Sequence, residues 1–250
     1  MKGKFDSQVD KNNLPAHIVI IMDGNGRWAE KKNLDRISGH REGMKSVKAV
    51  VKGAKELGVK YVTLYAFSAQ NWKRPKVEVD ALMELLKHYL LNEGDKLIEN
   101  GVSLNAIGRL WELPQDVYEV LSETMDKTKD CNELTLTLAL SYGGREEIID
   151  AVKEMVFRGN ITPEDINQTN LSKFLYTSDL PEPDLLIRTS GEMRLSNFML
   201  WQLAYTEIYV TRTLWPNFRK RHLIKAILNY QKRERRYGLT GEQVKKREVI

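Results

Sequence analysis

Apolar residues along this chain fall into two patterns. Short apolar runs, several of them apolar at successive positions, occur at Ile18 to Met22, Tyr61 to Phe67, Val102 to Ile107, Leu134 to Leu140 and Leu185 to Ile187, with a weaker one at Ile208 to Val210. Runs of this kind read as strands covered on both faces. Between them lie amphipathic stretches at Gly43 to Leu57, Val77 to Asn100, Pro114 to Lys129, Glu146 to Phe157 and Phe198 to Tyr205, and a last one at Arg219 to Tyr237. Strands alternating with helices predict an α/β fold with a mostly parallel central sheet flanked by helices. No linker, repeat or low-complexity segment divides the chain. One domain is expected over 14–240, between a flexible N-terminal arm at 1–13 and a C-terminal tail at 241–250.

The longest helical stretch puts Val79, Leu82, Met83, Leu85, Leu86, Tyr89 and Leu90 on one face. A core-facing stripe and the wall of an apolar ligand tunnel both fit that pattern.

Composition narrows the setting. With 250 residues, 42% of them apolar, the chain can build a substantial core. A single cysteine, Cys131, excludes an intrachain disulfide and a multi-cysteine metal site, and it fits a reducing cytoplasm. No apolar run approaches the ~18 residues of a membrane span. The polar segment Met1 to Asn13 lacks the apolar core of a signal peptide and is expected to fray. The net charge of +5 suits ordinary solubility as well as an anionic substrate or membrane surface. The basic end, Lys232 to Arg247, reads as a solvated helix face or a contact for acidic lipid.

Candidate chemistry gathers after three of the strands. The first run ends on Asp23, and Gly24, Asn25, Gly26 and Arg27 follow, leading into a helical stretch. A strand tip turning through glycines into a helix start suits phosphate. A carboxylate beside a phosphate is repulsive unless a divalent cation lies between them. Gly24-x-Gly26-x-x-Ala29 also matches a loose dinucleotide fingerprint, but the next strand begins only at Tyr61, too late for a compact βαβ unit. Arg36 and His40 can add cations to the same pocket. After the second run come Ser68, Ala69, Gln70, Asn71, Trp72 and Arg74, a polar loop on the same sheet edge. After the fifth come Arg188, Arg194, Leu195 and Ser196, a second anion cradle. Glu207 is a candidate hard oxygen ligand, and Asp23 with Glu207 suits Mg²⁺ better than any set of the four histidines. The residues alone predict phosphate or diphosphate chemistry beside extensive apolar surface.

Five motifs, in order, carry a resemblance: HIVIIMDGNGRWA, RISGH, LYAFSAQNWKRP, SYGGR and DLLIRTSGEMRLSNFMLWQLAYTEIYV. Together they resemble the cis-prenyltransferase family, in its bacterial undecaprenyl diphosphate synthase branch. The resemblance implies a parallel sheet flanked by helices around an apolar tunnel. It also implies Mg²⁺-dependent elongation of an allylic diphosphate, such as farnesyl diphosphate, by isopentenyl diphosphate in cis geometry. The product implied is undecaprenyl diphosphate for cell-wall lipid carrier synthesis. By the same resemblance, Gly24, Asn25, Gly26, Arg27, Arg36 and His40 hold the allylic diphosphate, with Trp28 beside it. Arg188, Arg194 and Ser196 hold isopentenyl diphosphate. Asp23 and Glu207 handle the metal, and Ser68, Asn71, Trp72 and Arg74 form the central loop. Asn71 is the residue often assigned to proton removal, but a neutral amide is a weak base, and orienting a base or a diphosphate oxygen suits it better.

Two positions depart from the family pattern. Gln70 stands where a glutamate is usual, and Met193 where some relatives have histidine. The enzyme implied is a cytoplasmic homodimer with peripheral membrane contact and no nucleic-acid partner. A non-catalytic partner subunit on the same fold is the rival reading, disfavoured by the retained Asp23, Arg27, Arg188, Arg194 and Ser196. Asp23→Ala is expected to abolish turnover and spare the fold, because Asp23 sits at the sheet edge.

Overall fold

The computed structural model describes residues 6–159, 162–235, 240 and 243. Among the described residues six strands form one sheet: β1 (His17–Ile21), β2 (Tyr61–Ser68), β3 (Val102–Ile107), β4 (Leu134–Tyr142), β5 (Leu185–Arg188) and β6 (Glu207–Val210). They lie in the order β3-β4-β2-β1-β5-β6, and every neighbouring pair is parallel. The helices are α1 (Asn25–Glu30), α2 (Arg36–Leu57), α3 (Lys76–Glu99), α4 (Gln115–Thr128), α5 (Gly144–Phe157), α6 (Gln168–Ser172) and α7 (Lys220–Tyr230).

Strand alternation sorts the core into two layers. Ile18 and Ile20 of β1, with Val62 and Leu64 of β2, pack with residues of α2, α3, α4 and α7. Val19 and Ile21 face the other way, against Phe198, Met199 and Leu203. Both faces of β1 are buried, which is why Ile18 to Ile21 are apolar without interruption. His17, also fully buried, joins neighbouring segments through Pro181 O at 2.7 Å and Thr63 Oγ1 at 2.8 Å. Burial lowers its pKa to about 4.

Local signals set α2. The Asp35 carboxylate accepts from the Ser38 amide at its start, and Gly58, at φ 101°, ends it. Gly39 lets α1 lie against α2, because a Cβ there would stand 2.1 Å from the carbonyl oxygen of Asn25.

The structure corrects three expectations. Phe198 to Tyr205 runs as turns, not as a helix. Ser196, Asn197 and Met199 take φ of 52°, 62° and 43°, so the chain reverses and buries Phe198 and Met199. Asn197 serves the start of α5 instead, accepting from the Arg145 amide at 3.0 Å and donating to Glu146 at 2.7 Å. The last helix stops at Tyr230. The arm does not fray as far as Asn13. Val9 is buried, and the Gln231 amide donates to Asp10 O at 2.6 Å and Asn13 O at 2.8 Å. Of the tail at 241–250, all but Gln243 lies outside the described residues, as does most of the basic end.

Gly39→Ala should therefore cost about 1–3 kcal/mol through overpacking against backbone. For a chain of this size that lowers the thermal midpoint by about 2–4 °C per kcal/mol. Thermal denaturation followed by circular dichroism checks it, and an unchanged midpoint would show that α1 and α2 are not in close contact.

Candidate active site

Asp23 follows β1, Ser68 ends β2 and Arg188 ends β5, so all three meet at the carboxyl edge of the sheet. The segments after β1 and β5 pack on opposite faces, α2 on one and the Phe198 turns on the other. Their tips therefore border the kind of crevice where open α/β sheets bind ligands. Arg188 is only 3% exposed. Its Nη2 donates to Asp23 Oδ2 at 3.1 Å, and its Nη1 to Ser196 Oγ at 2.9 Å and to the Arg194 carbonyl oxygen. Arg27 approaches the other oxygen of Asp23 at 3.2 Å. Burial works to raise the Asp23 pKa, but the bonds and charges of Arg188 and Arg27 hold it below the usual carboxylate range.

The backbone here is fixed as firmly as the side chains. The Asp23 carbonyl oxygen accepts from Thr189 Oγ1 at 2.7 Å and from the Trp215 amide at 3.1 Å. Gly24 has φ 105°, and a Cβ on it would meet Leu214 at 2.9 Å. This is a turn that needs glycine.

A cavity of about 310 Å³ opens at this edge. Its mouth carries Asp23, Asn25, His40, Ser68, Asn71, Arg74, Arg188 and Ser196. Its body is apolar and runs between the sheet and the helix pair α2 and α3, past Met44, Val47, Leu64, Leu82, Met83 and Leu86. The α3 stripe thus serves both readings. Leu82, Met83, Leu85, Leu86 and Tyr89 line the cavity, while Val79 and Leu90 are core.

The mouth is rich in positive charge. Burial, then Arg74 and Arg36, lower the His40 pKa to about 4 against the opposing pull of Glu78, so the imidazole is neutral. Glu78 accepts from Arg74 at 2.9 Å and lies 3.4 Å from Arg36. The Asn71 Oδ1 accepts from the Ser68 amide at 3.1 Å, which fixes the amide orientation. That leaves the NH₂ group for a ligand, so Asn71 is placed as a donor and not as a base. Two buried atoms at the mouth, Asn25 Oδ1 and Arg188 Nε, have no hydrogen-bond partner among the described residues.

Other expected residues do not meet the cavity. Trp28 donates to Asn217 Oδ1 at 3.0 Å and carries Lys32 over its ring, on the far side of α1. Gln70 donates to Glu146 at 3.2 Å, Trp72 to Ser141 at 2.7 Å, and Leu195 packs under the second core layer. Ala69, Gly24, Gly26, Arg27 and Arg36 shape or border the mouth without lining the cavity. Arg194 turns outward to Glu192 at 2.5 Å. Glu207 is the main correction. It pairs with Leu185, level with Ile18, whereas Asp23 lies beyond Ile21. The two carboxylates sit toward opposite edges of the sheet, and Glu207 is taken up by Arg233 at 2.5 Å.

Among the described residues no three His, Cys, Asp or Glu side chains gather as a metal site. One part-exposed carboxylate still fits Mg²⁺, which takes one or two carboxylates and completes its shell with phosphate oxygens and water. Asp23 is that carboxylate, while Glu207 in this chain is not placed to join it.

Sequence reading missed the acids that organise the arginines. Glu78 gathers Arg36 and Arg74, and Glu192 bridges Arg27, at 3.0 Å, and Arg194. The four-residue spacing of Arg74 and Glu78 on a helix start was a readable signal. Glu192 had none.

A cationic mouth on an apolar bore, at the end of a parallel sheet, defines a site for amphiphilic phosphates. The family model described as "Putative undecaprenyl diphosphate synthase" matches residues 21–238. An isoprenyl transferase of Clostridium perfringens is 49% identical over 95% of this chain and 96% of its own length. Lavandulyl diphosphate synthase from Lavandula x intermedia, solved with dimethylallyl diphosphate, superposes with a TM-score of 0.87 at 35% identity, over 91% of this chain and 99% of that one. A probable undecaprenyl diphosphate synthase from Campylobacter jejuni superposes at 0.76 and 37% identity, over 90% and 99%. The chain belongs to the undecaprenyl diphosphate synthase family of prenyltransferases.

The Asp23–Arg188 pair revises the expected effect of Asp23→Ala. The variant strips a buried guanidinium of its carboxylate, so it should lose about 1.5–3 kcal/mol of stability near neutral pH, the scale of a charge-assisted hydrogen bond. A depressed carboxyl pKa contributes stability above its unfolded value and loses it as pH falls through the folded one. The gap between wild type and variant should thus close below about pH 4. Urea unfolding at pH 7 and at acidic pH measures both, and equal stability at pH 7 would contradict the pairing.

Proposed function

We propose that this prenyltransferase elongates an allylic diphosphate, farnesyl diphosphate being the suited primer, with isopentenyl diphosphate units in cis geometry. The product is a long-chain polyprenyl diphosphate of the undecaprenyl kind, for cell-wall lipid carrier synthesis. One observation carries this reading: a single cavity joins a cationic mouth to an apolar bore between α2, α3 and the sheet. A diphosphate with a growing hydrocarbon tail is the ligand that uses both ends.

The roles follow from position. Asn25, Gly26, Arg27, Arg36 and neutral His40 receive the allylic diphosphate. Arg188 and Ser196, with Arg194 swung in from Glu192, receive isopentenyl diphosphate. Asp23 is the residue that would hold Mg²⁺, and the ion would neutralise charge on the departing diphosphate. As the allylic C–O bond breaks, the isopentenyl double bond attacks the allylic carbon. The new C–C bond then forms, and a proton leaves the isopentenyl unit. The preorganised guanidinium groups favour charge on the leaving oxygens. Asn71, presenting its NH₂, orients a diphosphate oxygen, and the departing diphosphate is the proton acceptor. Gln70 is engaged with Glu146 and Met193 is exposed, so neither departure from the family pattern removes a group from the mouth. Incubation with farnesyl diphosphate, labelled isopentenyl diphosphate and Mg²⁺ should give butanol-extractable product, and EDTA should suppress it. No extractable label with Mg²⁺ present would overturn the reading.

The working form proposed is a homodimer in the cytoplasm, in peripheral contact with the membrane. Exposed Ile149, Val152, Val156 and Phe157 make an apolar stripe along α5 at helical spacing, the surface a second copy would cover. None of the helices described is long and apolar enough to cross a membrane. Val156→Asp combined with Phe157→Asp should shift sedimentation from dimer to monomer. A wild-type monomer at micromolar concentration, or an unshifted double variant, would count against the stripe.

A further inference from the structure

The loop that carries Asn71 and Arg74 is held from behind by a residue that touches no part of the cavity. In the pairing of β2 and β4, Leu140 lies opposite Phe67 and Tyr142 opposite Ser68, so Ser141 has no partner. An extra residue at the end of a strand re-aims its side chain. Ser141 takes φ 44° and is fully buried. Its hydroxyl accepts the indole N–H of Trp72 at 2.7 Å and donates its own proton to the Glu112 carboxylate. One hydroxyl thereby satisfies a donor on the loop and an acceptor on the scaffold.

The scaffold side is firm. Glu112 closes the turn Leu110–Glu112 after β3, with Arg109 3.6 Å away. Arg109 is clamped on Asp150 of α5 by two bonds, at 2.7 and 2.9 Å. The loop side is not firm by itself. None of the five residues Ala69–Lys73 is fully buried, and of them Trp72 packs against the hydrophobic core. Trp72 is the loop's deepest tie, with its ring 4.8 Å from that of Phe67, edge to face, and its N–H on Ser141.

We propose that Ser141 is a positioning residue for prenyl transfer: by bridging Trp72 to Glu112 it sets where the Asn71 amide and the Arg74 guanidinium meet a diphosphate. This rests on the proposed function, which places those two groups at the substrate. Misplacing such donors by about 1 Å can cost on the order of 10²-fold in rate.

The test combines hydrogen exchange, read by mass spectrometry over Ser68 to Arg74, with steady-state kinetics. Ser141→Ala should raise exchange in that segment at least about tenfold and lower kcat about 10- to 100-fold. Ser141→Asn should restore both, since asparagine tolerates left-handed φ and carries an acceptor and a donor. Should Ser141→Ala fail to fold, Trp72→Phe removes the same N–H and keeps the ring, and it should loosen the segment likewise. Unchanged exchange in either folded variant overturns the proposal. So does raised exchange with kcat and KM within twofold of wild type, because the tether would then be structural only. An inactive wild type would instead defeat the proposed function, while the exchange data still decide whether Ser141 holds the loop.

Discussion

Arg188 is a full positive charge at the end of β5 with almost no access to water. Taking such a charge out of solvent is costly unless a counter-charge and hydrogen bonds come with it. Asp23 supplies the counter-charge, and Ser196 and a backbone carbonyl supply the bonds. That requirement ties the tip of β1 to the tip of β5. It also dictates the turn at Gly24, since Asp23 must stop short while the chain swings into α1. Arg27 and Glu192 then follow as partners of partners. The mouth is an electrostatic structure first, and its ligand-binding character follows from the cations left over.

Charge and apolar surface are kept apart by the geometry of the sheet. Strand ends contribute polar groups to the edge, while strand faces and the inner sides of α2 and α3 contribute hydrocarbon. A parallel sheet makes this division natural, because every strand points its carboxyl end the same way. The mouth and the bore can therefore be altered separately. A change at Leu86 acts on the bore and leaves the arginines in place.

Much of this was legible in the chain. All six strands were visible as apolar runs, most plainly β1 and β5, which are buried on both faces. The grouping of Asp23, Asn71 and Arg188 followed once the strands were parallel, since residues after parallel strands share an edge. What misled was local pattern without tertiary context. Phe198 to Tyr205 has helical spacing, but Asn197 spends its hydrogen bonds on the start of α5 and the backbone turns left-handed. Glu207 reads as a hard ligand by type, yet its place at the start of β6 sets it far from Asp23. Trp72 lies between two residues that face the mouth and points the other way, because a one-residue bulge in β4 presents Ser141 to it. Bulges of that kind leave no trace in composition or periodicity.

The bore owes part of its wall to Met44 on α2 and Met83 on α3. Methionine is unbranched, with three rotatable bonds, and it yields where leucine or isoleucine would resist. A wall of this kind fixes a range of volumes and not one length. Under the proposed function, a hydrocarbon tail entering the bore would meet side chains that rotate aside before the backbone has to move.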